Sequence, residues 1–229
     1  MKKVILDEIP FKINREQLFR RLRMEDGNED AQSVLSLAEE AEDIGKPKGM
    51  YVESYIDEKG ADYVVVNGIA FQSRILRVNL EQAFKVFPFL ATCGKELEKW
   101  SESLDDMLMR YWADVIKEMV LGSGVIFLLG KLKEDTGLKH VSAMNPGSLE
   151  DWPLSEQGKL FAILGDTRKA IGVELTDSCL MLPAKSVSGI WFPSETSFES
   201  CQLCSREDCR GRRAPYDGKL YEIRYKTGK

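Results

Sequence analysis

The chain has 229 residues, of which 43% are hydrophobic and 30% charged, and its formal net charge is -5. This length can bury one sizeable core with a small appendage, and the acidic balance argues against the concentrated basic face of a nucleic-acid-binding protein. No apolar run approaches the roughly 18 residues that span a bilayer, and Asp7 and Glu8 end the first apolar run too early for a signal peptide. We expect a cytoplasmic protein that contacts proteins or small molecules, with no nucleic-acid or membrane partner.

The N-terminal part contains both predicted strands and predicted helices. The strands, rich in Val, Ile and Tyr, are expected at residues 4–9, 50–56, 63–71 and 86–92. The helices are expected at residues 15–22, 29–44 and 80–84. Asn14 is the expected N-cap of the first helix, and Asn67-Gly68 signals a two-residue hairpin turn.

The clearest helix is predicted at residues 104–121, where apolar residues recur on one face. Ser103 and Asp106 resemble a capping box, and Gly122 and Gly124 are expected to end or bend the helix. A loop at 138–154, a helix at 155–164 and strands at 170–175 and 186–192 are expected to follow. Strands and helices without regular alternation predict an α+β fold: one domain, residues 1–192, with a mostly antiparallel, twisted sheet flanked by helices. Residues 193–229 are expected to form a cysteine-containing C-terminal extension.

One segment has an unusually specific pattern. Residues 175–192 read LTDSCLMLPAKSVSGIWF, or L-T-x-S-x-x-M-x-P-x-x-S-V-S-G-x-x-F. This pattern resembles the core of the activation domain of cobalamin-dependent methionine synthase. Three weaker matches precede it in the family's order: L-D-E-I-P-F at 6–11, A-D-V-I-K-E at 113–118, and Pro146-Gly147. Within the segment, Gly189 is expected to allow close approach of backbone or ligand, while Ser186 and Ser188 are expected to serve packing and backbone hydrogen bonds.

The resemblance implies a site for S-adenosylmethionine. The family's ligand contacts, carried onto the matching positions, fall on Asp7, Glu118, Asn145, Pro146, Gly147 and Ser148. Carboxylates suit the ammonium and sulfonium of this ligand, and Asp114, one turn before Glu118, is placed to assist it.

The chain also departs from the family pattern in the same loop. The family's arginine falls on Ala143 and its tyrosine on Ser148, which removes the expected partner of the ligand's carboxylate. Lys139 and Arg168 are the candidate substitutes for that arginine.

The resemblance further implies a role in cobalamin reactivation by a stand-alone module. The only histidine, His140, does not lie in the D-x-H-x-x-G motif that ligates cobalamin, because Leu138 and Ala143 stand at the other positions. The expected partners are therefore a cobalamin-binding methionine synthase subunit, which holds the cobalamin, and a flavodoxin-type or other electron donor. Together they would convert cob(II)alamin to methylcobalamin with S-adenosylmethionine, and the chain would be an accessory component of this methyltransferase reaction rather than an independent enzyme.

Three of the five cysteines form a C-x2-C-x4-C cluster outside the segments that carry the resemblance. Cys201, Cys204 and Cys209 are candidate ligands of zinc or an iron–sulfur cluster. Cys93, Cys179, Asp208 or a partner protein would supply the fourth ligand. A redox-active dithiol and a merely structural or disordered tail are the other readings. Four nearby arginines favour thiolates: Arg206, Arg210, Arg212 and Arg213.

These features leave two alternative functions open. The first is a metal- or iron–sulfur-containing redox activator of a corrinoid protein. The second is an interaction module that has lost ligand binding.

Overall fold

The computed structural model describes residues 2–25, 27–195, 198–209 and 211–226. Its strands are β1 (Lys3–Leu6), β2 (Lys48–Val52), β3 (Ser54–Lys59), β4 (Tyr63–Val66), β5 (Ile69–Gln72), β6 (Lys85–Thr92), β7 (Val141–Met144), β8 (Glu174–Leu175), β9 (Met181–Leu182) and β10 (Ser186–Pro193). Its α-helices are α1 (Arg15–Leu22), α2 (Ala31–Ile44), α3 (Arg74–Asn79), α4 (Lys95–Glu102), α5 (Met107–Thr136), α6 (Gln157–Leu164) and α7 (Thr167–Ile171).

Strand β6 is the centre of the main sheet. It pairs with β10 on one side and with β2 and β3 on the other, and every pairing among the described strands is antiparallel. Strand β7 lies beyond β10, β1 lies beyond β2, and the β4–β5 hairpin lies beyond β3. Strands β8 and β9 form a separate hairpin immediately before β10. The α+β class with a mostly antiparallel sheet flanked by helices is confirmed.

The sheet has a different cover on each face because alternate residues of a strand point to opposite sides. Helix α5 covers one face, where Leu128 and Leu132 pack with Phe89 and Trp191. Helices α3, α6 and α7 cover the other face, around Trp152. The N-terminal half of α5 packs with α1, α2 and α4 in a third apolar cluster.

Two predictions that depend only on neighbouring residues, a helix cap and a hairpin turn, are confirmed. The Asn14 side chain accepts a hydrogen bond from the Gln17 N–H, as an N-cap should. Asn67 and Gly68 have φ of 48° and 77°, so both central residues of the β4–β5 turn adopt the left-handed conformation of a type I′ turn.

Longer-range expectations need correction. Helix α5 begins after Asp106, whose carboxylate caps it, and not after Ser103. It also passes through Gly122 and Gly124, since its buried stripe continues to Leu132.

Three further boundaries differ from the expectations. The helix expected at residues 80–84 lies five to six residues earlier, as α3, which Ser73 caps. The strand expected at 170–175 instead contains the end of α7, which Asp166 caps, and the two-residue β8. The loop expected at 138–154 contains β7.

The C-terminal segment folds back onto the body. Phe198 is 3% exposed and Tyr225 is fully buried in the cluster beneath α3 and α6. The Tyr225 hydroxyl donates a hydrogen bond to the Asn79 side chain at 2.8 Å, and the Arg74 Nε donates to the Tyr225 carbonyl at 3.2 Å. The division of the chain at residue 192 stays a prediction, but the described part of the tail contributes to the main core. None of the helices in the described ranges combines the length and apolar character needed to cross a membrane.

Candidate functional site

Asp7 and the 145–148 loop leave the sheet at the same end. Asp7 directly follows β1, and Asn145 directly follows β7, whose last residue Met144 pairs with Ile190. The row β1–β2–β6–β10–β7 separates these two edges by four strand spacings, or about 19 Å. The structure therefore brings the two predicted ligand groups to one end of the sheet but to opposite edges.

Glu118 lies apart from Asp7. Its carboxylate pairs with the Arg21 guanidinium at 2.9 Å on the exposed side of α5. The chain after β1 meets α5 at Gly124, where an added Cβ would lie 4.0 Å from the Ile9 Cδ1. Glu118 is six residues earlier on the helix, which displaces it by about 9 Å along the axis and turns it to another face. Asp114 is also engaged, because its carboxylate accepts the Lys185 ammonium at 2.8 Å.

The 145–148 loop is a tight turn that its own residues explain. The Ser148 N–H donates a hydrogen bond to the Asn145 carbonyl at 3.2 Å, which closes a four-residue turn. Pro146 is the second residue of this turn and Gly147 is the third. Gly147 has φ of 80°, so the sequence Pro-Gly produces a type II turn. The Gly147 N–H donates to the Trp152 carbonyl at 2.7 Å. The Gly147 and Ser148 N–H groups are thus both hydrogen-bonded to backbone carbonyls of the protein, whereas the Pro146 and Gly147 carbonyls accept no hydrogen bond from the described residues.

The turn is attached to β10 at the centre of the sequence motif. The Asn145 Nδ2 donates to the Ser188 carbonyl at 2.7 Å. An added Cβ on Gly189 would lie 2.5 Å from both this Nδ2 and the Met144 carbonyl oxygen, and 2.9 Å from the Phe89 ring. Gly189 therefore permits a close approach of protein groups, as expected. The Ser186 hydroxyl donates to the Pro183 carbonyl at 2.7 Å.

A cavity of about 790 Å³ lies beside Ser148. The tail forms much of its wall, and its lining residues include Ser148, Glu150, Asp151, Cys204, Arg206, Tyr216, Asp217 and Tyr221. Arg206 is the cation that the structure brings to this cavity. It does not occupy the place of the family's arginine, because Ala143 packs on the opposite face of the sheet, under α5.

The two expected substitutes for that arginine lie elsewhere. Lys139 precedes β7, whereas the loop follows β7, so six residues of near-extended chain, about 20 Å, separate Lys139 from Asn145. Arg168, on α7, pairs with Glu174 at 3.1 Å. No local sequence signal pointed to Arg206, because its position depends on the return of the tail to the body.

The metal centre expected at Cys201, Cys204 and Cys209 is not formed in the described ranges. No group of three or more His, Cys, Asp or Glu residues there has an arrangement that could hold a metal ion. Of the expected fourth ligands, Cys93 is fully buried in the cluster around the N-terminal half of α5. Arg210 lies outside the described residues.

The Cys201 thiol instead interacts with the returning backbone. The Arg213 N–H donates to the Cys201 Sγ at 3.4 Å. Partial burial raises the pKa of this thiol, but backbone hydrogen bonds from Arg213 and Ala214 and the positive charge of Arg213 outweigh it, so the pKa lies below its ordinary value of 9.0. Burial raises the pKa of Cys93 to about 12.

Comparison with known proteins supports the resemblance. Residues 148–210 match the family model described as the activation domain of vitamin B12 dependent methionine synthase. The chain resembles this activation domain. The structure matches the crystal structure of the MetH reactivation domain bound to AdoHcy with a TM-score of 0.62, covering 87% of this chain and 81% of that chain at 13% identity. At this identity the structural match shows the activation-domain fold alone. No curated protein matches the chain in sequence.

The residues that match the family model include the cysteine segment of the C-terminal tail. The matched range runs from Ser148 through the 175–192 motif and includes Cys201, Cys204 and Cys209. The cysteine segment, expected outside the resemblance, therefore lies within the matched region.

Proposed function

We propose that this chain is a reactivation module that acts in trans on a cobalamin-binding methionine synthase. The family-model match over residues 148–210, which includes the 175–192 motif, is the observation that carries the proposal. The shared fold with the MetH reactivation domain supports it. His140 is the chain's only histidine and is not in a cobalamin-ligating motif, so the partner subunit would hold the cobalamin.

The ligand in this proposal is S-adenosylmethionine. When bound, it would supply the methyl group, and the partner's reduced cobalamin would accept it. The crystallised MetH reactivation domain holds AdoHcy, the same ligand without its methyl group, which supports this choice of ligand class. The electron would come from a flavodoxin-type or other donor protein. The chain's own contribution would be to bind and orient the ligand over the partner.

The residues expected to contact this ligand lie at one end of the sheet but on opposite edges, about 19 Å apart, so the bound ligand would have to extend between them. Asp7 is exposed at the end of β1 and presents a carboxylate to an ammonium or sulfonium. The Pro146 and Gly147 carbonyls suit the hydroxyl and amino donors of the ribose and adenine. Ser148, also exposed, extends this edge toward the cavity. Glu118 would join the site only if its pair with Arg21 opened.

Calorimetric titration tests the ligand site. The unmodified protein should release heat on titration with S-adenosylmethionine. Asp7→Asn should weaken binding about tenfold, or 1.4 kcal/mol, because it removes a charge partner of the cation. Glu118→Gln is the matched control, since it removes an exposed carboxylate whose partner is Arg21.

The second candidate, an interaction module without a ligand, is favoured by Ala143 and Ser148, which replace the family's arginine and tyrosine. No heat at millimolar ligand would exclude the intact site and leave this candidate. Equal weakening by both variants would contradict the assignment of Asp7 over Glu118.

A further inference from the structure

Cys201 and Cys204 are held in one turn of the tail. The Cys204 N–H donates to the Cys201 carbonyl at 3.3 Å, directly after a 3-10 helix at Ser200–Gln202. An i to i+3 hydrogen bond of this kind brings the two Cα atoms within about 7 Å. A disulfide requires a Cα separation of roughly 4.4 to 6.8 Å. The turn therefore brings the Cα separation of this pair close to the range that a disulfide requires.

One arginine fixes the backbone around the pair. The Arg212 guanidinium donates to the carbonyls of Cys201 at 3.0 Å, Ala214 at 3.3 Å and Cys204 at 3.2 Å, and also to that of Arg206. A rigid turn costs little ordering entropy when the two sulfurs join. The same loop brings the Arg213 N–H to the Cys201 sulfur, which favours a thiolate at that position.

The pair is accessible to small molecules. Cys201 and Cys204 are both partly exposed, and Cys204 lines the cavity of about 790 Å³. Arg206 and Tyr216 share this cavity with the acids Glu150, Asp151 and Asp217, so the charge of the lining does not select an anionic reagent. Cys93, by contrast, is fully buried and is not accessible to such a reagent.

We propose that Cys201 and Cys204 form a reversible dithiol–disulfide couple that reacts with low-molecular-weight disulfides such as glutathione disulfide. The Cys201 thiolate attacks one sulfur of the reagent, whose S–S bond breaks and releases one thiolate, which takes a proton from solvent. Cys204 then loses its proton to solvent and attacks the Cys201 sulfur, which forms the protein disulfide and releases the second thiol. Two protein thiols are oxidised, and one reagent disulfide is reduced to two thiols. Excess reduced thiol reverses the sequence.

Mass spectrometry of proteolytic fragments tests this couple without S-adenosylmethionine or cobalamin, so its outcome is independent of the proposed function. The full chain is incubated with glutathione disulfide, quenched by alkylation and digested. The unmodified protein and Cys209→Ser, the matched control from the same cluster, should each show a Cys201–Cys204 disulfide. Cys204→Ser should retain one glutathione on Cys201, because the second step is blocked. Cys201→Ser should take up glutathione at residue 204 about tenfold more slowly.

Three results would overturn the proposal. The first is a disulfide that joins Cys209 to either partner in the unmodified protein. The second is the absence of trapped glutathione on Cys201 in Cys204→Ser. The third is an equal rate of glutathione uptake by Cys201→Ser and Cys204→Ser. A circular dichroism spectrum equal to that of the unmodified protein identifies folded variants, and the Cys209→Ser protein tests the pair even if both other variants fail to fold.

Discussion

Replacing Gly189 with alanine should destabilise the protein and disturb the attachment of the 145–148 loop. The added Cβ would lie 2.5 Å from the Asn145 Nδ2 and the Met144 carbonyl oxygen. Two of the three close neighbours, the Met144 backbone and the Phe89 ring, belong to paired strands of the sheet. The Asn145 side chain is the group free to move, and its movement breaks the hydrogen bond to the Ser188 carbonyl.

The magnitude follows from three contributions. Overpacking by one methyl group costs about 1–3 kcal/mol. The lost Asn145–Ser188 hydrogen bond adds about 1 kcal/mol. The reduced entropy of the unfolded chain returns about 0.4–1 kcal/mol. We expect the free energy of unfolding to fall by about 2 kcal/mol.

Urea unfolding, followed by tryptophan fluorescence, measures this change. Trp191 stacks on Phe89 with a centroid distance of 3.8 Å, so it reports on the site itself. Gly122→Ala is the control, because nothing lies within 4 Å of an added Cβ there, and alanine should stabilise the helix by about 0.5–1 kcal/mol. A change below about 0.5 kcal/mol in Gly189→Ala would refute the account of the close approach.

Three further predictions concern charge and burial. Glu98→Ala should lower the free energy of unfolding, measured in urea, by about 2–3 kcal/mol. The reason is that Lys117, which is 6% exposed, would lose the carboxylate that lies 2.9 Å from its ammonium. A loss of free energy as small as that of an exposed ion pair would contradict this. The ion pair with Lys131 lowers the pKa of Asp135 from 3.8 to about 2, so the stabilisation relative to Asp135→Asn should be complete above pH 3.8 and disappear as the pH falls through about 2. Unfolding measured across that range would refute this if the difference were independent of pH. Iodoacetamide should label Cys93 only in denaturant, and labelling of the folded protein would show that this thiol is accessible.

Sequence reasoning succeeded where the cause of a structure is local. The Asn67-Gly68 turn and the Asn14 cap each depend on a few residues whose backbone preferences are strong. The order of the four motifs was sufficient to identify the fold. The most specific of them, 175–192, combines a paired strand with a glycine that permits a close approach of neighbouring groups. Gly189 permits the close contact with β7, as was expected from the sequence for a glycine at this position.

Sequence reasoning failed where distant segments decide the outcome. An added Cβ at Gly122 would contact no neighbouring atom, so no close packing requires this glycine. Helix α5 continues past it because the apolar stripe that ends at Leu132 is buried against the sheet. The position of Arg206 beside Ser148 depends on burial of the tail, and Tyr225 gives no periodic signal for it. The pairing of Glu118 with Arg21 joins residues 97 positions apart, which no local motif encodes.

The visible spectrum of cobalamin tests the central claim most directly. The protein is mixed with a cobalamin-containing methionine synthase that lacks its own activation domain, together with S-adenosylmethionine and a reductant. We expect the cob(II)alamin spectrum to convert to that of methylcobalamin only when the chain and S-adenosylmethionine are both present. A spectrum that stays that of cob(II)alamin in the complete mixture would contradict the proposed reactivation in trans.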